Sequence, residues 1–195
     1  STRKCSFLVS DYECYCNNKR FENIVRAFDI GFENVINTDV DMIFNKTINC
    51  AKLLGDNDIA LLNENEDLLS ESGIYLDRVR NMWYPGKWLD SKFKTDSPVC
   101  EESFIAIKNT PLVYNFFCEA DRMLHNDFFN WDADYIILNN LYRKFSAILK
   151  ISNLPVEYSD RWFFSENSYV WNGAAEVKHV NQSYIDRYNQ ILAEI

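Results

Sequence analysis

The sequence predicts an α/β domain with a mainly parallel sheet flanked by helices. Three observations carry that expectation. Short apolar runs alternate with amphipathic stretches, strand then helix, from Lys4 to Glu64. A second series of strand followed by helices begins at Ser103. Finally, 47% hydrophobic and 15% aromatic residues in 195 supply enough apolar surface for one compact core.

The elements follow in order. "KCSFLVSD" (Lys4 to Asp11) reads as a short strand ending in a polar turn. "NNKRFENIVRAFDIGF" reads as a helix: Phe21, Ile24, Val25 and Phe28 recur at steps of about three or four, Asn17 or Asn18 can cap it, and Gly31 stops it. "ENVINTD" is a strand, a helix lies around Ile48 to Leu54, and "DIALLNE" (Asp58 to Glu64) is the next strand. This β-α-β-α-β alternation is what points to parallel pairing. Between Asp67 and Val99 the periodicity weakens, and "NMWYPGKWLD" holds a turn signal at Pro85-Gly86. Trp83 and Trp88 either pack in a core or lid, or offer a flat apolar face to a sugar ring.

"SFIAIKN" (Ser103 to Asn109) is a strand. "TPLVYNFFCEADRMLHN" starts a helix with Thr110 as cap and Pro111 in the first turn. "WDADYIILNNLYRKF" is a further helix, followed by a strand near Val156, the segment "YVWNGAAEVKH", and a closing helix from about Tyr184. With 5 Gly and 4 Pro, no linker, repeat or domain boundary stands out, so a single domain is expected.

A net charge of −9 argues against general affinity for nucleic acid, which needs clustered Lys and Arg. Neither a P-loop nor a GxGxxG turn is present to cradle phosphate with backbone amides. A phosphorylated ligand would therefore need a cation to bridge acid to acid. No apolar run reaches the length of a membrane span, and no signal-peptide pattern opens the sequence. The 6 cysteines lack zinc-site spacing and read as free thiols in a reducing compartment, so a cytoplasmic location is expected. Asn45-Lys46-Thr47 and Asn181-Gln182-Ser183 are glycosylation sequons with no secretory signal to support them.

"FENVINTDVDMIFNK" (Phe32 to Lys46) holds the most informative pattern: Asp39 and Asp41 interrupt an apolar run. Alternate residues of a strand share a face, so the two carboxylates would sit side by side at its carboxyl end, where open α/β sheets bind ligands. Two adjacent carboxylates repel, and a divalent cation relieves that conflict while holding phosphate oxygens. Oxygen donors favour Mg or Mn over zinc. The alternative is a solvated turn in which one Asp caps the next helix. An EF-hand is excluded, since its Gly and Glu positions are here Phe44 and Cys50.

"VINTDVDMIFNK" resembles the DxD strand of glycosyltransferases with the GT-A (Rossmann-like) fold, which use nucleotide-diphosphate sugars. "NNKRF" with its helix is similar to the Arg-Phe helix that precedes that strand, and "SFIAIKNTPLVYNFF" to the later strand and helix. "WDADYIILNNLY" resembles the Trp-Asp-Gln helix, and "LPVEYSDRWFF" with "YVWNGAAEVKH" the closing segment. The series spans Asn17 to His179. The resemblance implies a nucleotide- and metal-binding half over residues 1–66 and an acceptor-side half over residues 67–195. Asp39 and Asp41 would hold Mn2+ or Mg2+ and the donor diphosphate, with Asp41 the direct ligand and Asp39 nearer the ribose or sugar. His179 would be the third ligand, Asn172 its alternative, and Lys178 a cation for the diphosphate. Ser10, Asp11 and Arg20 would contact base or ribose.

Three departures from the family pattern matter. Asp132-Ala133-Asp134 stands where Asp-Gln is common, so Asp132 or Asp134 would deprotonate the acceptor hydroxyl or bond the donor sugar, unless both merely cap a helix. Glu101, Glu102 and Ser103 replace Asn-Ala-Gly and either line the acceptor side or occupy a bend. The stretch before Asp39 is short for the family, which makes the chain either a minimal version or one piece of a larger polypeptide. The implied activity is hexosyl transfer from a UDP- or GDP-sugar to a hydroxyl of a glycan or glycoconjugate. The alternatives are a sugar nucleotidyltransferase and a degenerate, carbohydrate-binding relative.

Overall fold

The computed structural model describes residues 19–64, 99–127, 133–161, 163–173 and 180–194. The expected strand at Lys4 to Asp11 and the aromatic stretch with Trp83 and Trp88 lie outside the described residues.

Helix α1 (Arg20–Asp29) buries Phe21, Ile24 and Phe28 along one stripe, as their spacing dictates. Lys19 occupies its N-cap position with no side-chain cap bond, and Asn17 and Asn18 lie outside the described residues. The helix ends at Gly31, whose φ of 98° is in the left-handed region. Gly31 N–H donates to Phe28 O at 3.0 Å and Phe32 N–H to Ala27 O at 3.1 Å, which satisfies two terminal carbonyls.

A four-stranded sheet follows from β1 (Asn34–Thr38), β3 (Ile59–Glu64), β4 (Val99–Lys108) and β5 (Ile151–Asn153), in the order β1-β4-β3-β5. Helix α2 (Cys50–Leu54), capped by Asn49 Oδ1 accepting from Lys52 N–H, leads into β3. The sheet is not mainly parallel. β4 is antiparallel to both β1 and β3, and β3 with β5 is the parallel pair. β1, β3 and β5 thus share one direction, as the strand–helix alternation implies, but β4 is wedged between β1 and β3. Alternation fixes a strand's direction and leaves its neighbours open. β4 takes an inner position because it is apolar on both sides: Ile105 and Ile107 enter one core, Phe104 and Ala106 the other.

The first core lies under α1, α3 (Pro111–Asp127) and α4 (Ala133–Phe145), where Phe116 and Phe117 of α3 meet edge to face. The second, on the opposite face, gathers Leu54, Leu154 and Val170. A smaller sheet pairs β2 (Met42–Phe44) antiparallel with β6 (Val170–Asn172). Its Ile43 and Trp171 form a third cluster with Phe164 and with Tyr184 of α5 (Gln182–Glu194).

Near Val156 the expected strand is replaced by a 3-10 turn over Val156–Tyr158, and the strand, β5, comes earlier. Pro155 explains the change: it has no N–H for a ladder, and it takes the N-cap position of the turn. Among the described residues, no helix is long and apolar enough to cross a membrane.

Candidate functional site

The run from Phe32 to Lys46 is not one strand. β1 ends at Thr38, opposite Phe104, and the chain then turns through Asp39, Val40 and Asp41 into β2 of the smaller sheet. The acidic pair therefore occupies the crossing between two sheets. Asp39 N–H donates to Ser103 O at 3.0 Å, extending the β1–β4 ladder by one bond. Val40, at the tip, is fully exposed, while Asp39 and Asp41 on either side are half-buried. The apolar run continues past the turn because Ile43 serves a different core from Val35 and Ile36.

Arg20 closes over this turn from the first residue of α1. Its Nη2 donates to Asp39 Oδ1 at 2.6 Å, and its Nε to Asp134 Oδ2 at 3.0 Å. Arg20 is 9% exposed and Asp134, in the first turn of α4, is 2% exposed. Such burial is tolerable because each charge is paired and hydrogen-bonded. The positive end of the α4 dipole also favours an acid in that first turn. The structure thus joins three sequence-predicted residues from distant segments: Arg20, Asp39 and Asp134. They meet at the carboxyl end of β1.

Asn37, two residues before Asp39 on β1, has a buried side-chain nitrogen with no hydrogen-bond partner among the described residues. An orphaned donor of this kind is uncommon in a folded interior. Behind the turn is a layer of buried polar side chains. Asn172 Nδ2 lies 3.0 Å from Ser103 Oγ and 3.1 Å from Ser159 Oγ, and the two hydroxyls are 3.2 Å apart. Asn172 is therefore committed, through its amide nitrogen, to joining β6 to β4. Next to Ser159, buried Asp160 accepts from Phe163 N–H at 2.8 Å, Ser165 N–H at 2.9 Å and Ser168 Oγ at 2.7 Å. It organises the loop that leads into β6.

On the other side of the turn, Tyr184 donates its hydroxyl to the Asp41 carbonyl oxygen at 2.5 Å. Burial, then the charge of Asp41 and neighbouring Tyr188, raises the Tyr184 phenol above its usual value, so it remains a donor at neutral pH. Sequence reasoning missed Tyr184, Asn37 and Ser159; it named Ser103 for the acceptor side or a bend and Asn172 as an alternative metal ligand, but not the layer they form with Ser159. A serine and an asparagine inside apolar strands were the available signal for that layer.

Ser10, Asp11, Asp132, Lys178 and His179 lie outside the described residues, as do the side chains of Glu101 and Glu102. Among the described residues, no group of three or more His, Cys, Asp or Glu side chains could hold a metal ion. Asp39 and Asp41 could thus contribute two carboxylates to a cation site but not a full protein cage. The sequon at Asn45 has its side-chain nitrogen buried, where a glycan could not be attached without rearrangement.

No family model matches the sequence. No curated protein matches it either.

Proposed function

We propose that this protein is a metal-dependent glycosyltransferase of GT-A type, moving a sugar from a nucleotide-diphosphate donor to a hydroxyl of a glycan or glycoconjugate. The observation that supports this reading is the convergence of Arg20, Asp39 and Asp134 on the acidic turn at the carboxyl end of β1.

The arrangement divides the work between the acids. Arg20 engages Asp39 Oδ1, and by the family resemblance Asp41 would be the direct ligand for Mg2+ or Mn2+. These ions keep several waters and accept phosphate oxygens, so two protein carboxylates suffice. When bound, the cation stabilises negative charge on the departing diphosphate. Asp39, held in orientation by Arg20, accepts a hydroxyl of the ribose or sugar. Asp134 is buried against the guanidinium, so its part is to position Arg20, and of the two acids Asp132 would take the proton from the acceptor hydroxyl. Asp132, Ser10, Asp11, Lys178 and His179 keep the roles that the family resemblance gives them.

The test is release of nucleoside diphosphate from a panel of UDP- and GDP-sugars, with Mn2+ and with chelator. One donor class should be consumed in the presence of metal, with or without an acceptor, and Arg20→Lys should lose most of that activity. Turnover of no donor, combined with glycan binding that ignores Mn2+, would instead identify a carbohydrate-binding module.

A further inference from the structure

The end of the chain reaches back to the acidic turn. Tyr184 stands in the first turn of α5, where its backbone N–H is held by Asn181 Oδ1 at 3.1 Å. Its ring is 5% exposed and meets Phe164 edge to face, with centroids 5.4 Å apart. Phe164 in turn packs edge to face on Trp171 of β6. The ring is thereby fixed before its hydroxyl does anything. That hydroxyl ends on the Asp41 carbonyl, 143 residues away in sequence.

Gly173 makes the approach possible. A Cβ on residue 173 would lie 2.5 Å from the Tyr184 hydroxyl oxygen and 2.7 Å from ring carbon Cζ, closer than real side chains come. Gly173 immediately follows β6, the strand paired with β2, so the same register that places Met42 opposite Asn172 opens the space beside Asp41. Two elements, β6 and α5, therefore shape a seat for the carbonyl of one residue in the turn. The other end of the turn has its own anchors, Ser103 O and Arg20. Val40 between them is fully exposed and contributes no packing.

We propose that Tyr184, admitted by Gly173, is a positioning residue for Asp41: its hydroxyl fixes the Asp41 peptide and so aims the carboxylate that receives the cation. The inference rests on the metal-dependent reading above and adds α5 to the site. Holding a ligand's backbone from outside the coordination sphere restricts the directions its carboxylate can take. Loss of such outer contacts commonly costs about tenfold or more in metal affinity.

The experiment titrates Mn2+ alone into four proteins and follows free Mn2+ by electron paramagnetic resonance, with Tm measured in parallel. The four are the parent, Asp41→Asn, Tyr184→Phe and Thr110→Ala. Tyr184→Phe removes one oxygen and keeps the ring. Thr110 caps α3 at the opposite end of the sheet from Asp39, through its Oγ1 and Val113 N–H, so its variant lowers Tm without touching the turn. The expected result is Mn2+ binding by the parent, its loss in Asp41→Asn, about tenfold weaker binding in Tyr184→Phe, and parental affinity in Thr110→Ala. Parental affinity in Tyr184→Phe, with Asp41→Asn still defective, overturns the positioning role and leaves the metal site standing. Equal weakening in Thr110→Ala assigns the effect to general stability and also overturns it. Absence of Mn2+ binding by the parent removes the metal reading and this inference together.

Discussion

Replacing Arg20 by methionine probes the junction on which the site is built. The guanidinium is 9% exposed and sits between a carboxylate whose side chain is 3% exposed, Asp134, and one whose side chain is 30% exposed, Asp39. The two sides should respond differently. Asp39 can rehydrate, so losing its partner costs about 0–1 kcal/mol, as for a surface pair. Asp134 cannot, and breaking a buried pair by removing one partner typically costs about 3–5 kcal/mol. The first turn of α4 offsets part of this through its dipole, by about 0.5 kcal/mol. The expectation for Arg20→Met is a loss of about 3–5 kcal/mol, a large share of the roughly 5–15 kcal/mol that holds a domain together.

Urea unfolding followed by far-ultraviolet circular dichroism measures that loss as a change in midpoint at constant slope. The double variant Arg20→Met with Asp134→Leu then isolates the pair. Removing both charges should recover part of the loss, with a coupling of about 1–3 kcal/mol. Losses below about 1 kcal/mol for each single variant, adding without coupling, would match a solvated pair. The reasoning that Asp134 holds Arg20 in place would then be refuted.

Two further outcomes follow from local geometry. Gly31→Ala should destabilise by about 1–2 kcal/mol in the same unfolding assay. No atom lies within 4 Å of the added Cβ, so the whole effect comes from the φ of 98°. At pH 8, Cys50 and Cys118 should alkylate with iodoacetamide more slowly than a cysteine in an unstructured peptide, read by mass spectrometry. Burial pushes both thiols above their usual value, so the reactive thiolate fraction at that pH is reduced.

The sequence resolved individual elements better than their arrangement. α1, β1, β3, α3 and α4 were legible because each carries its own period and ends: Phe21, Ile24 and Phe28 mark one helix face, Gly31 its stop, and Thr110-Pro111 the start of α3. The position of β4 was not legible. A strand buried on both faces reads as a continuous apolar run whichever neighbours it has, so the antiparallel insertion between β1 and β3 left no trace in the pattern. The division of one apolar run into β1 and β2 was hidden for a related reason. Both sides of the turn are apolar: Ile36 and Met42 share one core across it, while Ile43 enters another.

Of the candidate site, the charged residues stood out because charges inside apolar segments are costly and so conspicuous: Arg20, Asp39, Asp41 and Asp134. Tyr184 did not, since a tyrosine at helical spacing looks like any other core aromatic. Its hydroxyl matters only once Gly173 and the Asp41 carbonyl are in place.

The most direct test of the central claim is the melting temperature of the protein with UDP- and GDP-sugars, with and without Mn2+, for the parent and for Asp41→Ala. A ligand at a hundred times its Kd should add about 2.7 kcal/mol to stability, which for a chain of this size is a rise of roughly 5–10 °C. The account predicts that rise for one nucleotide class, in the presence of Mn2+, in the parent and not in Asp41→Ala. Equal stabilisation of the two proteins, or none by any donor, would contradict it.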